Sequence, residues 1–176
     1  PEEISTILTE FVSRTGFLLY LGWVSPECRV LGSSLPGAIG MDLSDRPNLV
    51  QVAKGADWSI GDLVMGRASR LPIFQICKAV RDHAGNLKGM IVAGVNEDNL
   101  ERAMAVERRG SAAISLYDRN GMLAFRRPKL NPTWEQRNWL RDYPFIRGVL
   151  EGREYSGTVV APYDGQERIV ANVLIE

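Results

Sequence analysis

Apolar residues recur at helical spacing at the start of the chain, at Ile4, Ile7, Leu8, Phe11 and Val12, with Ser5 and Thr6 between them and Gly16 as a stop. The spacing predicts a helix ending near Thr15. The pattern then changes: residues 17–24 are aromatic and β-branched, Ser25-Pro26-Glu27 makes a turn, and residues 28–34 run extended again, which predicts a hairpin. After a Gly- and Pro-bearing loop over 35–45, residues 46–54 carry a short helical pattern ended by Gly55, and strands are predicted at 59–67, 72–81 and 86–95. Asp82-His83-Ala84-Gly85 joins the last two as a tight turn, with Gly85 supplying the positive φ.

From Glu97 the order starts again. A helix runs through Leu100, Met104 and Val106 and stops at Gly110; a hairpin follows over 112–117 and 122–127 about Asp118-Arg119-Asn120-Gly121. Residues 133–151 read as helical with an interruption at Pro144, and strands at 155–161 and 167–175 are joined by Tyr163-Asp164-Gly165-Gln166. The recurrence after roughly 95 residues lies within the range of small domains. It predicts an α+β chain of two modules of one type, each with a central antiparallel sheet, over 1–96 and 97–176, with the helix at 97–109 as the joint.

Composition narrows the function. The 176 residues are 45% hydrophobic, enough for a substantial core, and the 21 Lys plus Arg balance the 21 Asp plus Glu. Without net positive charge the counterion-release term that drives nucleic-acid binding is missing, so nucleic acid is not an expected partner. One histidine and two cysteines leave little material for a zinc site or a His-dependent triad. No phosphate loop, paired-carboxylate motif or nucleophile elbow is present; Gly85-Asn86-Leu87-Lys88-Gly89 lacks the Lys-Ser/Thr ending. An enzyme is therefore the least supported class, and no catalytic residue, metal or cofactor is expected. No apolar run approaches the roughly 20 residues that span a bilayer. Pro1 in place of Met, and a strand-like pattern still running at Leu174-Ile175-Glu176, read as an excised fragment.

The segments 40–47, 82–92 and 117–124 together resemble double Cache sensor domains, which are tandem PAS-like modules. Gly40-Met41-Asp42-Leu43-Ser44-Asp45-Arg46-Pro47 resembles the family's segment before its first short helix. Asp82-His83-Ala84-Gly85-Asn86-Leu87-Lys88-Gly89-Met90-Ile91-Val92 resembles its Asp-x-x-Gly hairpin, and Tyr117-Asp118-Arg119-Asn120-Gly121-Met122-Leu123-Ala124 resembles the hairpin that begins its second module. The resemblance implies two PAS-like modules stacked along an N-terminal helix, the first membrane-distal and sensing, the second membrane-proximal and C-terminally truncated. It implies the extracytoplasmic sensing region, periplasmic or extracellular, of a membrane-anchored bacterial receptor: a histidine kinase of a two-component system, a diguanylate cyclase or a chemoreceptor. Such a region takes a small-molecule ligand and pairs as a homodimer through its N-terminal helix. Relative to the family, most of that helix, the last strand and the membrane-returning segment are missing. Many amino-acid-binding members carry Arg-x-Trp-Tyr and an Asp on the last strand of the first module. Here Arg46 matches, but Asn48 and Leu49 replace the aromatic pair and Gly94 stands where the Asp is expected. That disfavours an amino acid and favours a small carboxylate or related anion.

Arg46, Arg67, Arg70 and Lys78 fall in segments that would enclose the first module's pocket, and convergent guanidinium groups suit a carboxylate. They are equally read as solvated charges, with Arg46 paired to Asp42 or Asp45. Trp58, Phe74, Tyr20 and Trp23 are candidate pocket walls or core aromatics. Trp134 and Trp139, spaced by five, do not share a helix face, so one belongs to a core. His83 is expected at the surface, and a Cys28–Cys77 disulfide is open. Two other readings stay open: a ligand-free structural or partner-docking module, and a cytosolic tandem PAS or GAF-like regulator holding a cofactor.

Overall fold

The computed structural model describes residues 2–104, 112–161 and 164–175. The chain divides into two compact units, residues 1–112 and 113–176. The helix expected at the joint is observed as Glu97–Met104, and it goes with the first unit. Asn96 and Asn99 cap its start reciprocally, each side-chain oxygen accepting the other's backbone N–H at 3.1 and 3.0 Å, and Arg102 Nη1 donates to the Gly16 carbonyl at 2.8 Å. The remainder of the predicted helix lies outside the described residues.

In the first unit, α1 (Glu2–Thr15) is followed by β1 (Tyr20–Val24), β2 (Val30–Ser33), α2 (Pro47–Ala53), β3 (Trp58–Ile60), β4 (Val64–Met65), β5 (Pro72–Arg81), β6 (Leu87–Val95) and α3 (Glu97–Met104). The sheet is antiparallel throughout, in the order β2-β1-β6-β5-β3, with β4 also pairing β5. Period-two alternation sets its faces: Ile73, Gln75, Cys77 and Ala79 of β5 are buried, while Ile76, Lys78 and Val80 between them are exposed. Val24, Met90 and Val92 share the buried face, and α2 closes over it with Leu49 and Val52, both fully buried. Helix α1 packs on β1 and β2. Ser5 Oγ accepts the Ser33 backbone N–H at 3.1 Å, and Leu8 is its buried residue, while Ile7 and Phe11 stay exposed.

The strand predicted at 59–67 is broken. Gly61 makes its ladder bond to the Gln75 carbonyl and lies against the Asn48 side chain, after which Asp62 and Leu63 leave the ladder before β4 resumes it. The 82–85 turn forms as expected, with Asp82 Oδ1 accepting the Ala84 and Asn86 N–H groups, and His83 is exposed.

In the second unit, β7 (Ile114–Tyr117) pairs β8 (Leu123–Arg127), and β9 (Tyr155–Val160) pairs β10 (Glu167–Asn172). Between them the predicted helical stretch resolves into a 3-10 turn over Glu135–Arg137 and two short helices, α4 (Trp139–Asp142), capped by the Asn138 side chain, and α5 (Phe145–Leu150), separated at Pro144. Leu123, Trp139, Tyr143 and Ile146 form the core, so Trp139 is the buried member of the tryptophan pair. In element order β7 and β10 match β1 and β5, which β6 bridges in the first unit; among the described residues β7 and β10 are each paired on one side only. No helix among the described residues is long and apolar enough to cross a membrane.

Candidate functional site

The buried face of the first sheet carries one polar row. Gly94 of β6 lies opposite Tyr20 of β1 on one side and Gln75 of β5 on the other. Having no side chain, Gly94 lets the two neighbours meet above it: Gln75 Nε2 donates to Tyr20 Oη at 2.7 Å. A Cβ at position 94 would collide with the Tyr20 ring. The space that an Asp would need is therefore filled by a phenol. Burial pushes the Tyr20 hydroxyl above its ordinary pKa, against the smaller downward pull of the Gln75 hydrogen bond and the Arg46 charge.

Arg46 approaches this row from the loop before α2. Asp42 Oδ1 accepts the Ser44 N–H at 2.8 Å, which turns the chain; Arg46 is then the extended residue preceding Pro47, the first residue of the helix. Its Nη2 makes a long 3.5 Å contact with the Met65 carbonyl, and its buried Nε has no hydrogen-bond partner among the described residues. Arg67 lies beside it on the β4–β5 loop, where Nη2 pairs with Asp45 Oδ2 at 2.6 Å and Nη1 donates to the Asp42 carbonyl at 2.7 Å. Those bonds tie the loop down over the sheet. Together they enclose a cavity of about 30 Å³ whose lining includes Tyr20, Gly22, Ser33, Arg46, Ser69 and Gln75. That is room on the scale of a water molecule, far below the several hundred Å³ of drug-sized sites.

The structure thus brings Arg46, Arg67 and Tyr20 to one cavity. Arg70 is exposed, in a left-handed turn with φ +58°, and does not line it. Phe74 is half-buried between the inward-facing Ile73 and Gln75, Lys78 is exposed and paired with Asp57, and Trp58 sits 58% exposed on edge strand β3. Trp23 falls between Gly22 and Val24, which line the cavity, and itself lies against Gly89. Strand alternation separates these four from the site. Gln75 was the missed residue, and its signal was a polar side chain among the inward positions Ile73, Cys77 and Ala79. Of the two replaced family positions, Asn48 is buried and donates to the Gln75 carbonyl at 3.1 Å, while Leu49 belongs to the core. Cys28 and Cys77 are free thiols in that same core, and burial pushes Cys77 up to about 12.

The second unit holds a larger space of about 270 Å³ between β7 and β10, with Tyr143, Trp139, Arg126 and Arg168 among its lining residues. Trp139 packs against Tyr143 in a tilted arrangement with ring centroids 5.0 Å apart, and the Arg126 guanidinium lies over the Trp139 ring at 5.3 Å. Unlike the first cavity, this space is bounded, among the described residues, by the edges of two separate ladders.

No protein-family profile matches the chain, and no curated protein matches it. Solved structures do. The extracellular domain of rpHK1S-Z16, a protein assigned as a histidine kinase, superposes with a TM-score of 0.75 at 17% identity, over 97% of this chain and 71% of that one. The sensor domain of the V. cholerae histidine kinase DctB gives a TM-score of 0.64 at 14% identity, over 97% and 72%. The ligand-binding domain of the Pseudomonas fluorescens chemoreceptor CtaA, solved in complex with L-serine, gives 0.61 at 16% identity, over 96% and 70%. The chain therefore shares the α+β, PAS-like fold of these sensor and ligand-binding domains.

Proposed function

We propose that this chain is the extracytoplasmic ligand-sensing region of a membrane-anchored bacterial signalling receptor, of the histidine kinase or diguanylate cyclase type. In this reading the first unit is the membrane-distal module and binds a small anion, the second unit is membrane-proximal, and any catalysis belongs to an output domain elsewhere in the receptor. The observation that carries it is Arg46: a guanidinium whose buried Nε has no partner, beside a cavity on the inner face of a sensor fold. A buried donor left unmatched costs stability. A carboxylate repays that cost through a charge-assisted hydrogen bond.

Ligand entry requires the β4–β5 loop to yield, because the cavity as it stands is too small. The Arg67 bonds to Asp45 and Asp42 then couple occupancy to the loop before α2, which is a population shift between two arrangements. CtaA's domain was solved with L-serine; among the described residues no Asp or Glu lines the cavity here, so the reading for this chain is an anion without an ammonium group.

One observation favours a second reading. A cavity of about 30 Å³ also suits a module whose pocket has closed and which serves as a partner-docking element. A thermal-shift screen of short mono- and dicarboxylates, with amino acids in parallel, separates the two, since a ligand that binds only the native state raises Tm with its concentration. The sensing reading expects a carboxylate hit whose effect disappears in Arg46→Ala. A screen without hits, or a hit that survives the substitution, contradicts it.

A further inference from the structure

We propose that Tyr20 and Gln75, bridged over Gly94, are the specificity-determining residues of the first-unit cavity and that they select a short acid lacking an α-ammonium group, such as a two- or three-carbon monocarboxylate. The inference rests on reading that cavity as the ligand site.

Consider what the walls offer. The charged lining residues are Arg46 and Arg67, and the Arg67 guanidinium is engaged with Asp45 and the Asp42 carbonyl. An ammonium group entering beside Arg46 would give up its water, find no carboxylate, and meet a like charge; all three disfavour it. The polar row supplies the positive selection. Gln75 Nε2 uses the Tyr20 oxygen as its acceptor, so the phenolic proton is left to donate. Arg46 and Tyr20 then present donors to one space, and the ligand that matches them is all acceptor: carboxylate oxygens, with a neighbouring oxo or hydroxyl oxygen where there is one.

Gly94 makes the arrangement possible. Any side chain there drives the Tyr20 ring out of its place, and with it the Gln75 bond, so the glycine fixes both the donor and the exclusion of a carboxylate. The cavity's volume sets the length of the acid. About 30 Å³, enlarged by movement of the tied loop, suits the smallest carboxylates first.

The test titrates the whole chain by calorimetry with acetate, propionate, pyruvate and L-lactate, and with glycine and L-alanine as the amino counterparts of the first two. Tyr20→Phe and Gln75→Leu are measured beside the parent, with Arg46→Ala as the control for the site itself. Phe keeps the ring over Gly94, so Tyr20→Phe should still fold, at a Tm lowered by the loss of the Gln75 amide's acceptor. At least one acid is expected to bind, with glycine and L-alanine at least about tenfold weaker, and Tyr20→Phe should weaken the acid by about tenfold, the worth of one hydrogen bond to a charged group. Binding of glycine or L-alanine as tight as that of the acids overturns the proposal. So does a Tyr20→Phe affinity within about twofold of the parent, or failure of all four acids at millimolar concentration. The two layers fail differently. An amino acid that binds and is lost in Arg46→Ala leaves the site reading standing and removes this one, whereas an acid indifferent to Arg46→Ala removes the site reading as well.

Discussion

Arg46 has an unusual position for an arginine: it enters the interior beside a phenol and a carboxamide, and its buried Nε is unmatched. If a carboxylate completes it, truncation leaves the ligand's charge desolvated and unpaired. Arg46→Ala is then expected to cost about 2 to 4 kcal/mol of binding, read by calorimetry with the acid found in the screen, and a loss near zero would move the anchor elsewhere. Arg46→Lys should restore little, since an ammonium cannot reproduce the guanidinium's planar fork. Arg46 was legible in the sequence because a local motif, Asp42 to Pro47, fixes it at the start of α2. Gln75 was not, because its importance depends on two other strands bringing Gly94 and Tyr20 beside it. Trp58 and Phe74 do not line the cavity, since aromatic character alone does not say which side of a strand faces inward.

At the scale of elements, the short helix α2 is held by what it buries and not by its seven residues, too few to be stable alone. Leu49 is fully buried between α2 and the sheet, and Leu49→Ala is expected to destabilise the chain by about 2 to 5 kcal/mol. Denaturant unfolding measures this, and a change under about 0.5 kcal/mol, ordinary for surface sites, would contradict the packing described. In the second unit the Arg168 hydrogen bond holds the Asp164 carboxyl down to about 2. A carboxyl lowered in the folded state stabilises above its ordinary value of 3.8 and loses that contribution as pH falls toward 2. The Tm advantage of the parent over Asp164→Asn should therefore be present at neutral pH and fade across that window; an advantage that grows on acidification would refute the pairing. The hairpins and turns were readable because Asp and Gly act locally. The break between β3 and β4 was not, since the Asn48 side chain that packs against Gly61 there comes from another element.

For the whole molecule, the order of helix, hairpin, helix and strands was visible in the sequence, while the split into compact units at residues 112 and 113 depends on packing that the sequence pattern does not carry. The division falls after α3, which Arg102 ties to the first unit through the Gly16 carbonyl. Helix α1 carries Ile7 and Phe11 60% and 54% exposed, a stripe suited to a weak homodimer. Sedimentation equilibrium is expected to show a monomer or weak dimer, and a stable tetramer would contradict it. The central claim concerns where the ligand sits, and the most direct measurement is a crystal structure of the chain grown with the tightest-binding short acid. The expected result is a carboxylate in the first unit, within hydrogen-bond distance of the Arg46 guanidinium and the Tyr20 hydroxyl, with the β4–β5 loop shifted to admit it. An acid bound in the second unit or on the surface, with the first cavity unchanged, would contradict the account.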